Sequence, residues 1–140
     1  MSDPSVANLK LLSEMRLEDA FVLLRSGRHS AAYYLSGYAV ECGFKAIIAR
    51  SFQQGVIPDK RLVEKVYTHD LLQLVMLSGL KSQLDAHTKA STVFERNWFV
   101  VSDWREASRY AIIDPVSAGA MLNSVAEPNS GVLPWLKQYW

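Results

Sequence analysis

Apolar residues recur at helical spacing along almost the whole chain, and the alternation of apolar and polar residues that is typical of strands is absent. The spacing predicts a first helix over residues 6–25 and a longer one from His29 to about Phe52. Apolar side chains of this second segment do not form one stripe but surround the helix on nearly all sides. A helix of that kind is buried on most sides, so we expect it to be the central helix of the fold.

Shorter segments continue the helical pattern. Thr68 predicts the start of a helix that Gly79 ends, and a further helix is predicted from about Lys81. Asp114 and Pro115 are typical of another helix start. Aspartate caps the first turn, and proline lacks the amide hydrogen that a first turn leaves unpaired.

Three segments have a weak helical pattern, namely residues 53–67, residues 102–110 and the short segment after residue 131. No linker rich in glycine, proline or serine divides the chain, and a length of 140 residues fits one domain better than two. The pattern therefore predicts a single all-α domain over residues 1–140. Its expected form is an antiparallel bundle of about five helices around a long buried central helix.

Composition narrows the possible partners. The 15 Lys and Arg residues against 14 Asp and Glu residues give a net charge of +1, so no global charge attracts nucleic acid or an anionic membrane. One cysteine, Cys42, and three scattered histidines predict no disulfide framework, no metal site and no cofactor. No apolar run reaches the roughly 18 residues that span a bilayer, and the polar start is unlike a signal peptide. We therefore expect a cytoplasmic protein without a membrane partner.

Charged residues interrupt the apolar central helix. Glu41 and Lys45 lie four residues apart in the order that favours an ion pair along a helix. Because an unpaired buried charge is costly, we interpret them as a partly buried structural pair rather than a catalytic one. His69 and Asp70 precede a predicted helix, and capping of its first turn is favoured over a catalytic pair.

The C-terminal half concentrates aromatic and basic residues. The segment Trp104–Tyr110 is the densest polar and aromatic stretch, and it follows a predicted helix, where a rigid scaffold usually carries a site. Aromatic rings beside arginines stack on bases, whereas packing in the core is the alternative role of the tryptophans. The candidate residues for binding a ligand or RNA are Trp104, Arg105, Arg109, Tyr110 and Asp114.

The segment Gly27–Ala46 resembles the second helix of HEPN domains (higher eukaryotes and prokaryotes nucleotide-binding). That helix often reads Ala-x-Tyr-x-x-x-Tyr-Ala-x-Glu-x-x-x-Lys, and this chain has the pattern from Ala32 to Lys45. Later landmarks of the same family are similar to three further segments, so that the resemblance covers residues 8–138. These segments are His69–Leu71, Trp104–Tyr110 and Val132–Leu136.

The resemblance implies an all-α bundle that forms homodimers and often acts beside a minimal nucleotidyltransferase in toxin–antitoxin pairs. Many HEPN proteins are metal-independent ribonucleases, in which an arginine is followed after four to six residues by a histidine. Here Asp114 stands where that histidine would follow Arg109. We therefore expect a non-catalytic module that binds a nucleotide, RNA or the partner protein. A ribonuclease toxin is the alternative, and an interaction module without a small ligand is a third interpretation.

Overall fold

A computed structural model describes residues 4–140. Helices cover 74% of these residues and no strand forms among them, which confirms the predicted all-α class. Within the same range no helix is both long and apolar enough to cross a membrane. The helices are α1 (Val6–Arg25), α2 (His29–Ser51), α3 (Lys60–Val66), α4 (Leu71–Ser78), α5 (Lys81–Ala90), α6 (Thr92–Ser102), α7 (Pro115–Ala126) and α8 (Val132–Lys137), with a 3₁₀ turn at Glu106–Tyr110.

Eight α-helices form in the described part of the chain, where the sequence pattern predicts about five. Ser91 explains one of the additional helices, because its extended backbone ends α5 and its hydroxyl accepts the amide hydrogen of Phe94 in α6. Asp59 explains another, since its carboxylate accepts the amide hydrogens of Arg61 and Leu62 and so caps α3. The short helix α8 lies in the weakly patterned C-terminal segment.

Capping also sets the limits of α4. Asp70, and not Thr68, is its N-cap, so the helix begins later than predicted. The Asp70 carboxylate accepts the amide hydrogens of Leu72 and Gln73 and so caps the first turn of α4. Gly79 ends the helix with a φ of 77°, a left-handed conformation that glycine adopts without steric cost.

The second helix is the centre of the fold, as predicted. It packs against α1, α4, α7, α8 and the 3₁₀ turn. Its buried residues face several sides: Val40 and Phe44 belong to the main core, whereas Ala32 packs with Ala20 of α1. Contacts on all these sides explain why the apolar residues of α2 do not form a single stripe.

A close contact holds the 3₁₀ turn against α2. Trp104, just before the turn, is fully buried, and its indole ring lies directly over Gly37. A Cβ atom at Gly37 would overlap this ring, so only glycine leaves the room it needs. The contact therefore determines where the polar residues of the turn lie relative to those of α2.

Candidate functional site

A chain of polar contacts begins in the buried centre of α2. The side chain of Glu41 is only 3% exposed, and its carboxylate accepts a hydrogen bond of 3.2 Å from Lys45 Nζ. The same carboxylate lies 3.0 Å from His69 Nδ1. The Lys45 side chain is 16% exposed, so the pair is buried at its acidic end and reaches solvent at its basic end. Glu41 and Lys45 therefore form the partly buried ion pair that their spacing predicts.

His69 continues the chain towards the surface. Its Nε2 atom lies 3.3 Å from a carboxylate oxygen of Glu106 in the 3₁₀ turn, so both ring nitrogens face carboxylates. Through these two contacts His69 links α2 to the 3₁₀ turn. The capping role predicted for His69 is wrong, since its ring faces these carboxylates instead of the first turn of α4.

Arg109 and Tyr110 form the surface end of the polar chain. Arg109 donates hydrogen bonds to Glu106 at 2.7 Å and to the Tyr110 hydroxyl at 3.0 Å. Its guanidinium lies 4.8 Å from the centre of the Tyr110 ring, and Tyr110 is 77% exposed. The hydrogen bond to Tyr110, with a smaller contribution from Glu106, raises the pKa of Arg109. A permanent positive charge is thus held in place beside an exposed aromatic ring.

Two other predicted binding residues have structural contacts instead. The stacking role predicted for Trp104 is wrong, because its fully buried ring fills the core over Gly37 and cannot reach a ligand. Arg105 is exposed, but its guanidinium donates to the backbone carbonyls of Ser102 and Trp104. It therefore satisfies carbonyl groups at the C-terminal end of α6.

Asp114 lies outside the polar chain. It is the N-cap of α7, and it accepts hydrogen bonds from the amide and the hydroxyl of Ser117. These hydrogen bonds lower the pKa of Asp114. A carboxylate held in its ionised form cannot replace a histidine that exchanges protons near neutral pH.

Glu106 is the residue of the polar chain to which the sequence pattern assigns no role. It connects His69 to Arg109, and it lies inside the polar and aromatic segment Trp104–Tyr110. Its position three residues before Arg109 was the available signal, because side chains at that spacing meet in a helical turn.

A cavity of about 420 Å³ opens beside the buried end of the polar chain. Glu41, Lys45 and His69 lie in its wall, and most other wall residues are apolar. A cavity with apolar walls and a few converging polar groups is the usual form of a small-molecule site. The apolar wall residues include Leu9, Leu12, Ala49, Phe52, Val63 and Val66.

Tyr38 and Cys42, for which the sequence predicts no role in a site, also line this cavity. Burial raises the pKa of the Cys42 thiol to about 11 and that of the Tyr38 hydroxyl to about 12. Both groups are therefore protonated and uncharged near neutral pH. The available signal was their spacing, because intervals of three and four residues place them on one helix face with Glu41 and Lys45.

Neither metal geometry nor similarity to other proteins identifies the site. Within residues 4–140 no group of three or more His, Cys, Asp or Glu side chains is arranged to hold a metal ion. Comparison with models of protein families, with curated proteins and with solved structures finds no match to this chain. The chemistry of the polar chain and of the cavity is therefore the basis for assigning a function.

We expect the stability of the protein to fall at alkaline pH partly because of Cys42. The ordinary pKa of its thiol is 9.0 and the pKa in the folded protein is about 11, so the unfolded chain loses the proton first. Below pH 9 the thiol makes its full contribution to the free energy of unfolding. This contribution, about 2–3 kcal/mol, is lost as the pH rises from 9 to 11. Urea denaturation at a series of pH values measures this loss.

The matched control for this experiment is Cys42→Ala, which removes the thiol but keeps a small apolar side chain. Its stability should decline less steeply between pH 9 and pH 11 than that of the unaltered protein. The same slope for both proteins would show that the buried thiol makes no such contribution.

Proposed function

We propose that this protein is a non-catalytic, HEPN-like binding module that binds single-stranded RNA at the surface end of the polar chain. The observation that carries the proposal is the pair of Arg109 and Tyr110, in which Glu106 and the exposed ring hold the guanidinium in place. Guanidinium pairs with phosphate oxygens through two parallel hydrogen bonds, and an exposed ring stacks on a base. The two side chains together match one nucleotide unit.

The positions behind the HEPN resemblance support this proposal. Glu41, His69 and the pair Glu106 and Arg109 come from three separate segments of the sequence, and consecutive contacts join them. Segments that carry the resemblance therefore meet in space beside the proposed RNA surface.

Binding without cleavage is the form of the proposal that the contacts of His69 favour. A ribonuclease needs a proton-transfer group within hydrogen-bond reach of a ribose hydroxyl. Both nitrogens of His69 face carboxylates, and Glu106 lies between His69 and Arg109. In this arrangement His69 has no free nitrogen to offer a ribose hydroxyl beside Arg109.

We propose further that the module acts as a two-fold homodimer beside a minimal nucleotidyltransferase, as the family resemblance implies. Exposed apolar side chains support such an interface: Leu72, Met76 and Phe99 line an open groove of about 470 Å³ between α4, α5 and α6. Exposed apolar patches often mark contacts between proteins, and two-fold dimers are the commonest closed assemblies.

Fluorescence anisotropy of a labelled single-stranded RNA tests the proposal. We expect Arg109→Ala to weaken binding by about tenfold or more, because a hydrogen-bonded charge pair is lost. The matched control is Arg61→Ala, which removes an exposed arginine of α3 and should change the affinity little. Each single His→Ala variant should also weaken binding less than Arg109→Ala. Equal effects of Arg109→Ala and Arg61→Ala, or no RNA binding, would contradict the proposal.

The same samples distinguish the alternatives. RNA incubated with the protein and EDTA should stay intact, and light scattering should give twice the chain mass of 15.7 kDa. Cleavage that disappears in Arg109→Ala and in one His→Ala variant would establish the ribonuclease alternative. A species of 15.7 kDa at micromolar concentration would contradict the dimer.

A further inference from the structure

The groove between α4, α5 and α6, called here the α4–α6 groove, has walls that follow the period of the α-helix. On α5 the wall residues lie three, four and seven residues after Lys81, and on α6 they lie three, four and seven residues after Glu95. Leu72, Val75 and Met76 of α4 begin the same spacing. Residues with this spacing form the face that one helix presents to another. Three neighbouring helices therefore each present a packing face to the same open space.

The walls of the α4–α6 groove are largely apolar, and part of this apolar surface is exposed to water. Val75 and Leu84 are buried at the base, whereas Leu72, Met76 and Phe99 are exposed. Neighbouring exposed apolar side chains often mark a contact between proteins, and the flexible side chain of methionine adapts to the shape of a partner. An amphipathic helix fills such a groove with apolar side chains at the same helical spacing. The open volume of about 470 Å³ is therefore suited to the apolar face of one further helix.

The charged residues of the α4–α6 groove leave an excess of one negative charge. Lys81 and Asp85 form an ion pair on α5. Glu95 on α6 is exposed, and it belongs to none of the ion pairs found within residues 4–140. In a two-fold contact a second copy would bring the same excess to this face, and like charges across an interface weaken it. The charge therefore favours a basic partner over a second copy.

We propose that the α4–α6 groove binds an amphipathic helix of a partner protein, which has apolar residues on one face and a lysine or arginine beside Glu95. The apolar face packs between Met76 of α4 and Phe99 of α6. This inference rests on the protein contacts proposed above and deepens them, because it assigns the groove to a partner protein and the two-fold contact of the homodimer to another face. The RNA surface at Arg109 and Tyr110 is not involved.

Fluorescence anisotropy with three labelled peptides of about 15 residues, long enough for four helical turns, tests the chemistry of the partner. The basic peptide has leucine at helical spacing on one face and lysine and alanine elsewhere. The acidic peptide has glutamate in place of lysine, and the scrambled peptide has the composition of the basic one without a leucine face. At low salt we expect the basic peptide to bind about fivefold or more tightly than either of the others. Equal binding of the basic peptide and either comparison peptide would overturn the proposal.

Glu95→Gln tests the origin of the preference for a basic helix. We expect the affinities of this variant for the basic and the acidic peptide to differ by at most about twofold, because the unpaired negative charge of the groove is gone. Glu18→Gln is the matched control, since Glu18 is an exposed glutamate of α1 outside the groove. This control should keep the preference of the unaltered protein. The same loss of preference in both variants would overturn the proposal.

Met76→Lys tests the location, because it places a positive charge in the groove and removes an apolar wall. Binding of the basic peptide should weaken by about tenfold or more, and Phe99→Lys on α6 should have the same effect if Met76→Lys does not fold. Val22→Lys is the matched control and should change binding little, since Val22 is an exposed valine of α1 outside the groove. Equal losses in Met76→Lys and Val22→Lys would overturn the proposal.

Light scattering and RNA binding of the same variants separate this inference from the function proposed above. Met76→Lys should keep RNA binding and the mass of the dimer. A change of Met76→Lys to a species of 15.7 kDa would show that the groove holds a second copy, and it would overturn the inference. An unaltered protein of 15.7 kDa that binds the basic peptide through Met76 would contradict the proposed dimer and support the inference.

Discussion

Replacement of Glu41 by alanine is expected to lower the free energy of unfolding by about 3–5 kcal/mol. The substitution leaves Lys45, which is 16% exposed, without the carboxylate that accepts its hydrogen bond. It also leaves the Nδ1 atom of His69 without its acceptor. Lys45 and His69 would then lose the same buried carboxylate together. A buried charge without a partner raises the free energy of the folded state.

Urea denaturation followed by far-UV circular dichroism measures the loss. The double variant Glu41→Ala, Lys45→Met should recover part of it, because this pair of substitutions no longer leaves a lysine charge without a partner. Glu64→Ala is the control for an exposed ion pair, because Glu64 Oε1 lies 3.9 Å from Lys60 Nζ on the surface of α3. We expect this substitution to change the free energy of unfolding by at most about 0.5 kcal/mol. A loss in Glu41→Ala as small as that in Glu64→Ala would contradict the structural role of the buried carboxylate.

The parts of the fold that depend on local spacing could be predicted from the sequence. The helical class, the limits of α1 and α2 and the pairing of Glu41 with Lys45 all follow from the period of the α-helix. The burial of α2 could be predicted because apolar residues surround it. Helix number was harder to predict, since short helices such as α3 depend on one capping side chain and on packing more than on periodicity.

The parts that depend on contacts between distant segments could not be predicted from spacing. His69 lies 28 residues after Glu41, and nothing in the local pattern indicates that its ring faces that carboxylate. The sequence also does not distinguish a tryptophan that stacks on a ligand from one that fills the core. Trp104 stands beside arginines, as a stacking residue would, yet its burial over Gly37 is what brings the 3₁₀ turn to α2.

This last contact leads to a second large effect, on substitution of Gly37. Gly→Ala inside a helix normally stabilises a protein by about 0.5–1 kcal/mol. At Gly37, however, the added Cβ atom would overlap the indole ring of Trp104, and neither the backbone of α2 nor the buried ring can move without opening the core. We therefore expect Gly37→Ala to lower the free energy of unfolding by about 3 kcal/mol or more.

Urea denaturation of Gly37→Ala beside Gly119→Ala tests this expectation. Gly119 lies within α7 with open space around its missing side chain, so the same substitution there should stabilise the protein slightly. The double variant Gly37→Ala, Trp104→Leu should lose less free energy of unfolding than the sum of the losses in the two single variants. The smaller leucine side chain leaves room for the new Cβ atom. If Gly37→Ala is as stable as Gly119→Ala, the indole ring cannot lie where the structure has it. The position of Arg109 relative to α2 would then need another explanation.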